Sequence, residues 1–356
     1  MLNLKSVVII SQGSKYTGVN KYAINTYQAV KSNAQIFFIK FRKNHYGNDV
    51  GEAIEGKFFY GDSILNFNSL FPKIGFSKFI GYLKKLKSDG ALIHVASQHV
   101  LPISPGFNNV VTIHDIAPFL NYEFHSYKSK LEYLFNKMIY KHYLKYSSIL
   151  TDSDYVRKII EEMGPNGKVT RIYPYVSDNF NPLKGRMEIR KKYSLPLDKK
   201  LILSVSTITP RKNLKILKEV FSSLGNEYKL VRVGGKIFNS YSCSPVDEKG
   251  MNELYNACDT FLSVSLDEGF GYPVVEAAKS GISLAVSEIP VHREILNGYG
   301  TYFDPLSSSS IAMGIREATE QDVTNYNQLS KILYRYSFTE FQKQIIDYYE
   351  RKDIFD

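Results

Sequence analysis

Short runs of β-branched and aromatic residues recur along the chain, and each is too short and too uniformly apolar to be an amphipathic helix. In the first half they are Ser6–Ile10, Gln35–Phe41, Ala91–Ala96, Val110–Ile113 and Ser148–Thr151. Runs of this kind read as strands buried on both faces. Between several of them lie longer segments with apolar positions at helical spacing, such as Lys21–Lys31 and Tyr127–Lys145. The second half restarts the pattern with Leu201–Val205, Lys229–Val233, Phe261–Ser265 and Ser283–Val286, separated by helical stretches including Leu214–Leu224 and Pro273–Lys279. Strands alternating with helices predict a mostly parallel sheet covered on both sides. The stretch Ile172–Pro182, with two prolines, reads as the connection between halves. The predicted fold class is therefore α/β, with two doubly wound Rossmann-like domains, 1–174 and 175–356, and a cleft between them. Ligands of such sheets sit at the carboxyl ends of the strands.

Composition narrows the class. The chain has 356 residues, 44% of them apolar, with 27 tyrosines and 22 phenylalanines, which excludes a disordered or fibrous chain. No apolar run approaches the ~18–20 residues needed to cross a bilayer, and Val7–Ile10 is too short for the core of a signal peptide. Cys243 and Cys258 lack CxxC spacing, which argues against a disulfide framework and a zinc cluster. A soluble, cytoplasmic protein is expected. The net charge is +10, and residues 1–170 hold 21 basic against 12 acidic side chains. That surplus suggests an anionic partner for the first half. Abundant tyrosine and positive charge leave a nucleic-acid-binding protein as an alternative, although no zinc-finger or comparable signature supports it.

Two segments carry candidate chemistry. Asp267-Glu268-Gly269-Phe270-Gly271-Tyr272-Pro273-Val274-Val275-Glu276 follows a strand and opens a helix. Its glycines allow close backbone approach, and a helix N-terminus offers free N–H groups and a positive dipole end to an anion. Glu276 lies in that helix's first turn, three residues beyond Pro273, and can face the same ligand; an ordinary strand–helix turn explains the segment about equally well. Thr209-Pro210-Arg211-Lys212-Asn213-Leu214 places two cations beside another strand's carboxyl end; arginine offers a planar fork for phosphate and lysine a compact charge, although taken alone a solvated basic pair in a loop is the better reading. Asp152-Ser153-Asp154 has the form of a metal-binding pair but precedes a helical stretch, so capping explains it better. No dinucleotide-binding G-x-G-x-x-G, HExxH or G-x-S-x-G is present.

Together EGFGYPVVEA, with glutamates at 268 and 276, and TPRKNL resemble the motifs of retaining glycosyltransferase family 4, the glycosyl transferases group 1, which have the GT-B fold. Thr17-Gly18-Val19-Asn20-Lys21-Tyr22 is similar to the family's glycine loop, and Val111-Thr112-Ile113-His114-Asp115 to its His-Asp segment. Leu230–Gly235, Glu253–Ala257 and Ser287–Pro305 match its donor-domain landmarks. Three features depart from the pattern. Ser206 replaces a common glycine, Phe338 stands where tryptophan is frequent, and the stretch from Gly235 to Leu254 is short, as if one βα unit were missing.

The resemblance implies a transfer of a hexose from a nucleotide-diphosphate sugar, of GDP-mannose or UDP-glucose type, to a glycan, lipid-linked or other acceptor. The first domain would bind the acceptor and the second the donor, with the last helix, about 338–352, crossing back to the first. Arg211 and Lys212 would bind the diphosphate, Glu276 the ribose, and Glu268 the donor sugar, with Phe270 and Gly271 offering backbone N–H groups. Gly18 would reach the diphosphate and His114 the transferred sugar; a packed histidine is the plainer reading of His114. No metal or other cofactor is expected, nor a nucleic acid partner. A sugar-nucleotide binder without turnover is the remaining alternative. Ser77–Lys87 can form a helix with Phe79, Ile80 and Leu83 on one side and lysines flanking it. That pattern fits either peripheral attachment to an anionic membrane at its inner face or a surface helix packed on the sheet.

Overall fold

The computed structural model describes residues 6–12, 18–40, 57–60, 81, 83–98, 109–119, 127–243, 247–320 and 326–351. The chain divides into two compact units, one built on the chain up to Tyr175 and from Phe338 onward, the other on Val176–Ser337.

The first unit holds a parallel seven-stranded sheet: β1 (Val7–Gln12), β2 (Ala34–Lys40), β3 (Lys57–Tyr60), β4 (Leu92–Val95), β5 (Asn109–Ile113), β6 (Ser147–Thr151) and β7 (Val169–Arg171), in the order β3-β2-β1-β4-β5-β6-β7. Successive strand residues point to opposite faces, and each face has its own core. Val8, Ile10, Val95 and Val111 pack with Tyr140 and Tyr143 of the helix Tyr127–Tyr146. Val7, Ile9, Leu92 and Val110 pack with Tyr22 of the helix Gly18–Ala29 and with Phe341, Ile345 and Tyr349 of the last helix, Phe338–Tyr349.

The second unit repeats the plan with six parallel strands: β8 (Lys200–Val205), β9 (Tyr228–Val233), β10 (Tyr241–Cys243), β11 (Thr260–Ser263), β12 (Ser283–Ser287) and β13 (Thr301–Phe303), ordered β10-β9-β8-β11-β12-β13. The strand order reverses between β1 and β4 in one sheet and between β8 and β11 in the other, the positions where doubly wound sheets bind ligands. Between β9 and β10 the chain runs through residues 234–240 without a helix. The short stretch after Gly235 thus holds a strand, the three-residue edge β10, with no helix between it and β9.

Residues 83–88 are helical. Leu83 is buried in the core and Leu86 packs against it, while Lys84 and Lys85 are exposed. This part of the apolar side therefore faces the sheet; residues 77–80 and Tyr82 lie outside the described residues. Among the described residues no helix is long and apolar enough to cross a membrane.

The last helix supplies core to the first sheet, so shortening its central anchor should destabilise that unit. Phe341→Ala is expected to cost about 3–5 kcal/mol, the range for emptying a buried aromatic site. Denaturant unfolding followed by circular dichroism measures it, and a loss below about 1 kcal/mol contradicts the packing described.

Candidate active site

At the carboxyl end of β8 the chain turns through Pro210–Lys212, and Asn213 takes a left-handed conformation with φ 52°. The Asn213 side chain donates to the Pro305 carbonyl at 2.7 Å, and the backbone N–H of Leu266 donates to the Arg211 carbonyl at 2.8 Å. These bonds hold Arg211 and Lys212 against the segment after β11. There Arg211 Nη1 donates to Glu268 Oε2 at 3.1 Å, Lys212 Nζ to Glu268 Oε1, and Ser265 Oγ to Glu268 Oε1 at 2.7 Å. Glu268 is buried. Burial alone raises a carboxyl pKa, but the charges of Lys212 and Arg211 outweigh it and hold Glu268 down to about 2. The result is an ionised carboxylate between two cations.

Beside this cluster a small pocket is lined by Ser204, Ser206, Lys212, Ser263, Glu268, Gly271 and Pro273, among others. Gly271, at φ 91°, caps the helix Tyr272–Lys279, so the N-terminus of that helix faces the pocket. Because the helix begins at Tyr272, Glu276 stands in its second turn, beyond the first-turn place the sequence suggested. It is buried and accepts a hydrogen bond from the Tyr255 hydroxyl at 3.0 Å. The Phe270 ring is taken up by edge contacts with Tyr272 and Tyr336, at 5.2 and 5.4 Å between centroids, which leaves its backbone as the part able to meet a ligand.

In the first unit a second polar cluster lies at the ends of β4, β5 and β6. His114 follows β5; its Nδ1 lies 2.6 Å from Asp152 Oδ2 and its Nε2 2.9 Å from the Ala96 carbonyl. Against an ionised Asp152 both neighbours only accept, so both ring nitrogens then carry hydrogen and the ring is an imidazolium. Burial opposes that charge, yet the Asp152 carboxylate raises the His114 pKa above its ordinary value. His94, also buried, faces Tyr349 and Thr112 at 2.5 and 2.7 Å without a carboxylate. Burial and the nearby His114 push it down to about 3. Gly18 opens the helix Gly18–Ala29, whose first turn is tied to β1 by Ser11 Oγ donating to Asn20 Oδ1 at 2.6 Å. Thr17 lies outside the described residues.

The pair at 152 and 154 is split between other tasks. Asp152 holds His114, Ser153 is the helix cap that accepts from the Val156 N–H, and Asp154 binds Arg157 at 2.7 Å and Arg171 at 3.5 Å. The sequence expected this segment to cap the helix, and within it the structure gives the cap to Ser153. Among the described residues no group of three or more His, Cys, Asp or Glu side chains could hold a metal ion.

Residues 243–336 match the family described as glycosyl transferases group 1. The chain is also similar to curated relatives. It is 26% identical over 237 residues to O-antigen chain mannosyltransferase B of Escherichia coli, an alignment covering 60% of this chain and 61% of the relative. It is 23% identical over 355 residues to O-antigen chain mannosyltransferase RfbU of Salmonella typhimurium, covering 94% and 96%. Among solved structures, WaaG, a glycosyltransferase involved in lipopolysaccharide biosynthesis, superposes with a TM-score of 0.72 at 14% identity over 97% of this chain and 99% of that one. Anabaena HepE in complex with UDP-glucose gives 0.74 at 14% identity, covering 96% and 98%. The chain has the GT-B fold of these glycosyltransferases.

Within this fold Arg211, Lys212 and Glu268 come together at the β8/β11 switch point, with Gly271 beside them and Glu276 in the helix that follows. His114 and Gly18 belong to the first unit. Sequence reasoning missed Asp152, Tyr255 and Ser265 as partners of candidate residues; only their positions just after strands or inside quoted motifs pointed to them.

The two buried histidines set up a titration test. Asp152→Asn removes the carboxylate that opposes burial, so the His114 pKa should fall from above 6.5 to below it, as His94 already shows. Imidazole nitrogen chemical shifts measured against pH report the change. The sign for stability follows: a raised histidine pKa stabilises the fold below about pH 6.5, and the contribution disappears as pH rises through the folded value. A His114 pKa unmoved in the variant removes Asp152 as the cause.

Proposed function

We propose that this glycosyltransferase moves a mannosyl or similar hexosyl group from a nucleotide-diphosphate sugar to a glycan or lipid-linked glycan acceptor, with retention at the anomeric carbon. The observation that carries the reading is the cation pair Arg211–Lys212, held on Glu268 beside the N-terminus of the helix Tyr272–Lys279. Two cations and a helix dipole can stabilise the charge that grows on a departing diphosphate, which is electrostatic transition-state stabilisation. The names of the curated relatives favour mannose over glucose.

In the proposed reaction Arg211 and Lys212 bind the diphosphate, and Glu268 exchanges part of its cation contact for the donor sugar's hydroxyls. The backbone N–H groups of Phe270 and Gly271 bind alongside. Glu276, fixed by Tyr255, takes the ribose hydroxyls. Gly18 contributes backbone from the first unit. His114 acts as a fixed cation, since both its ring N–H groups are committed to Asp152 and Ala96. The reaction needs no metal in this reading, because Asp152 and Asp154 are already engaged by His114, Arg157 and Arg171. We place the reaction in the cytoplasm. Attachment to an anionic membrane surface, if it accompanies the reaction, rests on exposed lysines such as Lys84 and Lys85 rather than on Leu83.

Transfer of label from GDP-mannose or UDP-glucose to acceptor-bearing membranes tests the proposal. Lys212→Ala should still fold, though less stably, because Arg211 and Ser265 continue to hold Glu268, and should lose turnover by about 10²–10³-fold, the scale of a lost transition-state donor. Near-normal turnover in that variant removes Lys212 from the reaction. Activity should survive EDTA; loss on chelation with recovery in manganese or magnesium contradicts the metal-free reading.

A further inference from the structure

Arg232, on β9, is completely buried. Its Nη1 donates to the Ser204 carbonyl at 3.1 Å, to Ser204 Oγ at 2.9 Å and to Ser206 Oγ at 3.1 Å, and its Nη2 donates to the Ser206 carbonyl at 2.7 Å. Its Nε has no partner. Every acceptor is neutral. Other buried cations of the same unit end on carboxylates: Arg190 on Asp259 at 2.7 Å and Lys279 on Asp178 at 2.6 Å. Burial lowers the Arg232 pKa to about 10, which leaves it charged at neutral pH. A buried charge without a counter-charge is costly, and it is placed one hydrogen bond behind the lining of the pocket that holds Lys212 and Glu268, because Ser204 and Ser206 form part of that lining.

The same strand end is held a second way. Gly234, two residues after Arg232 at φ 100°, sits so close that a Cβ there would fall 2.2 Å from the Ser206 carbonyl oxygen. From Ser206 the chain runs through Thr207, Ile208 and Thr209 into Arg211 and Lys212.

We propose that Arg232 is a positioning residue of the donor site: its uncompensated charge behind Ser204 and Ser206 favours the diphosphate of the nucleotide sugar, and its hydrogen bonds fix the strand end from which the Arg211–Lys212 loop departs. The diphosphate part rests on the donor reading given above.

Inorganic pyrophosphate is the probe, because it carries the charge and no base or sugar. Calorimetric titration at low salt should show Arg232→Gln, which keeps side-chain donors and loses the charge, binding pyrophosphate about tenfold more weakly than the unaltered protein. Arg232→Lys should stay within about threefold. Equal losses in both variants, or changes below twofold in both, overturn the proposal, and so does an unaltered protein that does not bind pyrophosphate. Should Arg232→Gln fail to fold, the pH dependence of Arg232→Lys decides. A buried lysine deprotonates more readily than arginine, so its pyrophosphate affinity should fall between about pH 7 and 9.5 more steeply than that of the unaltered protein. Parallel pH curves overturn the proposal. Thermal stabilisation by GDP-mannose and UDP-glucose separates the two readings: pyrophosphate binding without it leaves Arg232 standing and removes the donor assignment. Nucleotide-sugar binding with insensitive Arg232 variants does the reverse.

Discussion

A buried carboxylate held by two cations is the interaction on which the second unit's chemistry depends. Glu268 could not remain ionised at its depth without Arg211 and Lys212, and neither cation could be held near the pocket without an anion to face. Removing one partner from such a cluster strands the other charges in low dielectric, at about 3–5 kcal/mol. The arrangement therefore does two things together. It fixes the Arg211–Lys212 turn against the segment after β11, and it keeps two phosphate-competent cations beside a helix N-terminus. In the proposed reaction an arriving diphosphate offers those cations a stronger anion than Glu268, whose released oxygen then becomes available to sugar hydroxyls.

The parallel sheets explain why these residues meet. In a parallel sheet every strand ends on the same side, so the loops following β8 and β11 are neighbours although more than fifty positions separate Arg211 from Glu268 in sequence. The first unit uses the same geometry for a different polar cluster: Ala96, His114 and Asp152 follow β4, β5 and β6 in turn. Each cluster is built on residues just beyond strand ends, while the strands beneath carry the apolar core.

That division also governs what the sequence could tell. Nine strands lay in the apolar runs read from the sequence, and all are interior to their sheets. The strands it did not give, β3, β7, β10 and β13, are the sheet edges. An edge strand has one neighbour and is short, three or four residues here, so it needs no long apolar run and leaves no periodic trace. The charged residues of the proposed donor site were legible because they sit in a motif with glycine and proline at helix-start positions. Asp152 was not, because its place before a helix made capping the simplest reading, and its actual partner lies 38 positions earlier. For His114 the sequence suggested either a packed or a functional ring, and the structure shows that ring partnered on both nitrogens.

Arg232 marks the limit of pattern reading most sharply. In Leu230-Val231-Arg232-Val233 the arginine alternates with valine, and alternation of polar with apolar residues normally marks a face turned to water. Here Leu230 and Arg232, which share that face of β9, are both buried, so the face is covered and the charge lies inside. Ser206, which stood out as a departure from a common glycine, is explained by the same contact: its hydroxyl and carbonyl both receive the guanidinium. A glycine at 206 would leave the carbonyl contact and remove the hydroxyl, so serine there and arginine at 232 form one feature rather than two. Because that feature replaces a simple apolar packing with an uncancelled charge beside the proposed donor pocket, packing alone does not account for it, whereas an anionic ligand in that pocket does.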